Sequence, residues 1–262
     1  MRYLIPVFLL VWFPFLADAK NVTAVIDETH PLSATGEVEV ANINGAVTIV
    51  TWDKAEVSIH AEKEAPSEAD LKALEVKIEA TPDRVFIHTI YLNKDGSWFK
   101  KFTNTGEVRY TITVPHTATL KKVETVNGPI EITGVHGRVT ASSVNGRIGA
   151  RGLRNEVEMS AVNGGINVDF ATVADMQDIR LEAVNGTVDL VLPDNVSASI
   201  KASAVNGRIS NEFGLAADNS GWIGHDLDGR LGTGGARIKL HTVNGAIKIA
   251  KRSSLAAEKS ER

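Results

Sequence analysis

No cysteine occurs anywhere in the chain. That one absence excludes disulfide frameworks, thiol nucleophiles, iron–sulfur clusters and cysteine-ligated zinc. An excess of either charge is missing too. There are 28 Lys and Arg against 32 Asp and Glu, a net charge of -4. This leaves no basic footprint for nucleic acid. Long apolar runs are absent but for one. Leu4 to Leu16 is apolar for about 13 residues, interrupted by Pro6 and Pro14, and falls short of the roughly 20 needed to span a bilayer. Arg2 precedes it, and Ala17-Asp18-Ala19 has the small-x-small form of a signal-peptidase site. Residues 1–19 are therefore read as a signal peptide cleaved near Ala19. The product is expected outside the cytoplasm, periplasmic or extracellular, with no transmembrane segment.

What is present can build a core. Of 262 residues, 43% are hydrophobic and 23% charged, which is a globular balance. The 22 glycines are placed periodically. Val-Asn-Gly occurs six times, starting at Val126, Val144, Val162, Val184, Val205 and Val243, with spacings of 18, 18, 22, 21 and 38. Ile43-Asn44-Gly45 is an outlying seventh copy. Two places after each Gly stands Val or Ile: Val47, Ile130, Ile148, Ile166, Val188, Ile209 and Ile247. Small residues precede each Val of the six, from Thr125 to Thr242. A half-period shows as Val135-His136-Gly137 and Leu153-Arg154-Asn155, nine residues from the neighbouring copies.

Each repeat thus reads as two short strands and two tight corners. A fixed period with one residue type at one phase is what stacked rungs require, since each position rests on its counterpart about 4.8 Å away. Asn-Gly supplies positive φ at a corner, and stacked Asn side chains can bond along the axis. The structural corner residues are Asn127, Gly128, Asn145, Gly146, Asn163, Gly164, Asn185, Gly186, Asn206, Gly207, Asn244 and Gly245. An antiparallel meander or barrel built on Asn-Gly hairpins is the alternative. No six-residue phase is present, so handedness stays open. The expected fold is all-β: a β-solenoid, parallel β-helix-like, with about 18–22 residues per rung. The expected division is 1–19 signal peptide, 20–115 β-rich N-terminal cap region with one short helix after Ser67, 116–250 Val-Asn-Gly repeat solenoid with a Gly-rich insertion at 213–235, and 251–262 disordered tail.

These residues carry a resemblance. Val114-Pro115, the run from Val123 to Ile130, the later Val-Asn-Gly copies and the run from Gly234 to Gly245 are similar to the bacterial putative-adhesin β-solenoid family. Upstream, Asn44-Gly45 and Thr51-Trp52-Asp53 look like its opening strands. The resemblance covers residues 36–250. It implies the solenoid architecture and a place in the cell envelope, and it brings no catalytic residues.

Motif chemistry is sparse. The seven histidines (30, 60, 88, 116, 136, 225 and 241) show no metal-ligand spacing, and no H-E-x-x-H occurs. Asp226-x-Asp228-Gly229 is a fragment of a calcium loop without its other ligands. No nucleophile elbow, P-loop or dinucleotide spacing is present. Acidic residues three places after the motif Gly, Glu131 and Asp189, are separated by neutral rungs. No catalytic, cofactor or metal site is therefore expected. The leading reading is a non-enzymatic, adhesin-like interaction scaffold. Its partner is a cell-envelope component, protein or polysaccharide, and the candidate contacts are Trp98, Phe99 and Trp222, aromatics in polar or Gly-rich segments. The alternative is a carbohydrate-active enzyme, a hydrolase or lyase, on the same scaffold.

Overall fold

The computed structural model describes residues 21–92, 106–218 and 224–252. The expected signal peptide and most of the expected tail lie outside the described residues. Alternation of apolar and polar residues makes nearly every described segment a strand. In chain order the first are β1 (Val22–Pro31), β2 (Glu37–Ala41), β3 (Val47–Trp52) and β4 (Glu56–Ala65). Helix α1 (Glu68–Ala73) follows, then β5 (Leu74–Thr81), β6 (Arg84–Tyr91) and β7 (Glu107–Pro115). Ser67 caps α1 by accepting the Asp70 N–H at 3.2 Å. The repeats then supply pairs: β8 (Thr119–Asn127) with β9 (Ile130–Thr133), β10 (Val139–Asn145) with β11 (Ile148–Leu153), β12 (Val157–Asn163) with β13 (Ile166–Phe170), and β14 (Asp178–Asn185) with β15 (Val188–Leu192). Last come β16 (Ala198–Asn206), β17 (Ile209–Asn211), β18 (His225–Leu231), β19 (Ala236–Asn244) and β20 (Ile247–Lys251).

The strands form two ten-stranded sheets, parallel through their middles, and each rung contributes one strand to each. One hydrophobic cluster between the sheets runs from Leu32 to Ile249. The inward side chains shrink toward the Asn-Gly corner. Val139, Val157, Ile179 and Ile238 lie in the first part of their strands; Ser143, Ala161, Ala183 and Thr242 lie just before the corner, all buried. Small side chains are what the narrowing space between converging sheets admits.

Spatial order departs from chain order at both ends. One sheet runs β1-β4-β7-β3-β9-β11-β13-β15-β20-β17, the other β18-β16-β19-β14-β12-β10-β8-β2-β6-β5. The last rung, β19–β20, therefore inserts between β14–β15 and β16–β17. The double gap before Val243 is thus no pair of consecutive rungs: β18 turns back antiparallel on β16, and the chain then re-enters the stack one place inward. The Gly-rich stretch 213–235 accordingly contains an edge strand. At the other end β2–β3 and β6–β7 are full rungs in parallel register with β8–β9. Rung stacking therefore begins at Glu37, inside the segment read as a cap. Asn44-Gly45 marks the corner between β2 and β3, but the sequence between β6 and β7 contains no Asn-Gly pair. At this end, among the described residues, β1, β4 and β5 flank the stack by antiparallel pairing, with α1 beside them. Such edges end a sheet without leaving a long parallel template.

Candidate functional site

The Asn-Gly corners form one straight ridge. Side-chain amides bond from rung to rung. The Asn127 Nδ2 donates to the Asn44 Oδ1 at 2.8 Å, Asn145 to Asn127 at 2.8 Å, Asn163 to Asn145 at 2.9 Å and Asn185 to Asn163 at 2.9 Å. The line continues in spatial order: Asn244 donates to Asn185 and Asn206 to Asn244, each at 2.8 Å. Backbone bonds run the other way, for Gly146 N–H donates to the Asn163 carbonyl at 3.1 Å and Gly164 N–H to Asn185 at 3.0 Å. Aligned amides polarise one another, which strengthens the row. At its head the Asn44 Nδ2 donates to the Tyr91 hydroxyl at 3.0 Å and the Gly106 carbonyl at 3.2 Å. Beneath that end lies a buried polar cluster. Asn42 donates to the Gly45 and Val108 carbonyls, and Thr89 joins it to Tyr110. Burial pushes the Tyr110 phenol up to about 12.

Glycine serves the ridge by close approach, not by torsion. Gly146, Gly164, Gly186, Gly207 and Gly245 are absent from the positive-φ residues, and Asn155 is not left-handed either. This corrects the expectation of positive φ at these corners. A Cβ on Gly146 would stand 1.9 Å from the Gly128 carbonyl oxygen, and on Gly186 2.0 Å from that of Gly164. Gly45 alone combines that crowding with a clear left-handed φ of +114°.

Beside the amides runs a second row. The motif valines face outward: Val126, Val144, Val162 and Val184 are 39%, 41%, 42% and 41% exposed. Ile43, Val243 and Val205, at the same phase, are half-buried. The apolar residues of the rungs are therefore not all used in packing. The bend before each Gly turns two consecutive side chains, Val and Asn, to solvent, which breaks the alternation.

Trp98, Phe99 and Trp222 lie outside the described residues. Asp226 and Asp228, the calcium-like fragment, stand on strand β18, and Asp228 pairs with Lys201 at 3.3 Å. At alternate positions of the strand both carboxylates share its outer face about 6.8 Å apart, and Leu227 between them points inward. His116 and His136 stack with ring centres 5.2 Å apart, and burial holds His136 below its usual range. Among the described residues no group of three or more His, Asp or Glu could hold a metal ion. On the outer face of the sheet containing β9, Glu131 is held by Arg147 at 3.0 Å. Glu131 and Asp189 are three strands apart, about 14 Å at ordinary strand spacing, beyond the separation that glycoside hydrolysis uses. Asp169 is a diagonal neighbour of Asp189. Burial pushes its carboxyl upward, and Arg252, 3.8 Å away, opposes that shift. No helix among the described residues is long and apolar enough to cross a membrane.

Comparisons with known proteins agree with this architecture. The family pattern described as Toastrack DUF4097 matches residues 17–250. The structure is similar to that of a putative cell adhesion protein from Clostridium sporogenes, with 14% identity, TM-score 0.53, and coverage of 87% of this chain and 100% of that one. It is also similar, at 13% identity and TM-score 0.38, to a putative adhesin from Bacteroides fragilis, covering 86% of this chain and 97% of that one. At 14% identity the likeness to the Clostridium sporogenes protein speaks to fold alone. Among curated proteins no match was found.

Proposed function

The chain belongs to the Toastrack DUF4097 family, and from that premise we propose that it is an exported, non-enzymatic interaction scaffold of the cell envelope. The observation that carries this reading is the ridge. Seven rungs hold identical side chains in line through side-chain and backbone bonds, a device that presents a surface without moving it. In this reading residues 1–19 direct export and are removed near Ala19, and a solvated tail begins after Arg252, since Lys251 closes β20 and Arg252 is tied to Leu192 and Phe170. The segments carrying Trp98, Phe99 and Trp222 add aromatic contacts to the partner, a cell-envelope protein or polysaccharide.

The test has two arms. Native cells are fractionated and the protein is cross-linked in place. Recovery with envelope material, and cross-links to one envelope component, support the reading; recovery in the cytoplasm overturns it. In the second arm Trp98→Ala is combined with Trp222→Ala. Weakened envelope binding at an unchanged melting temperature supports the aromatic contacts. Lowered stability without loss of binding makes those aromatics packing residues. A polysaccharide-release assay on the same protein addresses the enzyme alternative, for which sustained release of sugar would be decisive.

A further inference from the structure

The double row of Val and Asn side chains is the most regular exposed feature of the molecule. It is two side chains wide and crosses seven rungs, about 30 Å at the spacing of paired strands. Neither row contains a charge. The flanking positions carry isolated charges of both signs, Glu124 and Glu182 on one side, Arg147 and Arg208 on the other. A polyanion would find no line of cations to follow.

The amides keep binding capacity in reserve. An Asn side chain has two N–H donors and two acceptor lone pairs. In Asn145 one N–H goes to Asn127 and one lone pair takes the Asn163 donor. One N–H and one lone pair remain for a ligand, and the same holds at Asn163 and Asn185. The rungs of Asn127, Asn145, Asn163 and Asn185 therefore each offer one donor, one acceptor and one patch of methyl groups, repeated at about 4.8 Å, whereas Asn44 spends its amide on Tyr91 and Gly106.

We propose that this ridge binds an extended, uncharged polysaccharide lying along the stack, with hydroxyls on the Asn row and C–H faces on the Val row. Three arguments select that occupant. In an extended β-1,4-linked chain each pyranose ring advances by roughly one rung spacing and is turned over relative to the last, so alternate rings meet equivalent sites at every second rung. An extended peptide repeats each face about every 6.8 Å and falls out of phase within two rungs. A folded partner or second copy needs about 800 Å² per side for a stable interface, and a strip this narrow offers about 300 Å². Weak contacts at each rung sum along a polymer, so affinity grows with chain length. This deepens the scaffold reading and rests on it.

The experiment uses the protein produced from its full sequence, tested for retention on insoluble cellulose, chitin and β-1,3-glucan. Val144→Glu combined with Val184→Glu places two charges on the ridge, two rungs apart. Because that pair could disturb folding, Val144→Thr with Val162→Thr and Val184→Thr serves as a β-branched control of nearly the same shape, checked by circular dichroism. Lys239→Glu, on the outer face of β19, marks a remote site. Retention of the native protein on at least one polymer is expected. At least tenfold weaker retention is expected for the Glu pair, a smaller loss for the Thr triple, and none for Lys239→Glu. Retention on none of the polymers overturns the proposal, as does equal retention of folded ridge variants. A ridge variant that turns a dimer into a monomer in sedimentation overturns it in favour of a second copy. Isolated envelope material is run alongside. Binding to it without binding to neutral polymers leaves the scaffold reading standing and removes only the ridge ligand; binding to neither removes both.

Discussion

A methyl group on Gly146 would lie 1.9 Å from the carbonyl oxygen of Gly128, against a backbone that rungs on both sides hold in place. On Gly214 a methyl group meets nothing within 4 Å, although φ there is +73°. The two glycines separate crowding from torsional strain. Gly146→Ala is expected to cost about 3 kcal/mol or more, since the ladder must open to admit it. Gly214→Ala is expected to cost about 1 kcal/mol, the penalty of a left-handed alanine. Urea denaturation of both variants checks the order. The reverse ranking would show that torsion governs the ridge. The period and the phase of the repeat can be read from the residues, because one triplet recurs at one interval. The reason for its glycine cannot, because the crowding atom belongs to a residue 18 positions away.

At the scale of elements, β16–β17 is held in the stack by β19–β20, which precedes it in space and follows it in sequence. Deleting residues 236–252 should therefore release more than it removes. β16 and β17 lose their parallel neighbours, and β18 keeps only β16. Hydrogen exchange is expected to show residues 198–231 fully exposed in the shortened chain while β10–β13 stay protected. In a stack laid down in chain order, 198–231 would remain protected. Spacing along the chain could not disclose this arrangement, for a rung pairs equally well with any neighbour in register. A gap of 38 residues fits two consecutive rungs as readily as an excursion and return. The outward valines were illegible for a related reason. A β-branched residue in an alternating strand reads as core, and only the bend before the glycine turns it outward. As for Trp98, Phe99 and Trp222, composition alone marks them, and they fall outside the described residues.

The molecule as a whole carries two histidines with opposite pH signatures. His60 bonds to Asp27 at 2.6 Å and to Glu62 at 3.4 Å, and these hydrogen bonds raise it above 6.5. Its contribution is complete below pH 6.5 and fades as pH climbs through the raised value. His136 is lowered from 6.5 by burial first, then by Arg154 and His116. Its neutral form suits the fold, so stability is complete above pH 6.5 and falls as acid protonates it. The two slopes oppose each other in the native protein. His60→Gln should leave stability that rises from pH 5 to pH 7, and His136→Gln stability that falls from pH 6 to pH 8. Urea midpoints across that range decide the matter; identical profiles in both variants would mean that other groups set the dependence.

The amide row also gives the protein a way of ageing. An asparagine followed by glycine loses its amide readily, because the glycine nitrogen meets no side chain on its way to the Asn carbonyl carbon. Here that nitrogen is engaged: Gly146 N–H is donated to the next rung, and the Asn145 amide is held by a neighbour on each side. Attack must wait until a rung opens, so the folded ridge preserves a sequence that decays in a loose chain. Once one amide becomes an acid, its lost N–H leaves two oxygens facing across a rung. The neighbouring corners then open more often and react sooner. Damage is therefore expected to cluster on adjacent rungs, and isoaspartate mapping of a long-stored sample checks it: modification scattered at random among the Asn-Gly pairs would show that the rungs age independently.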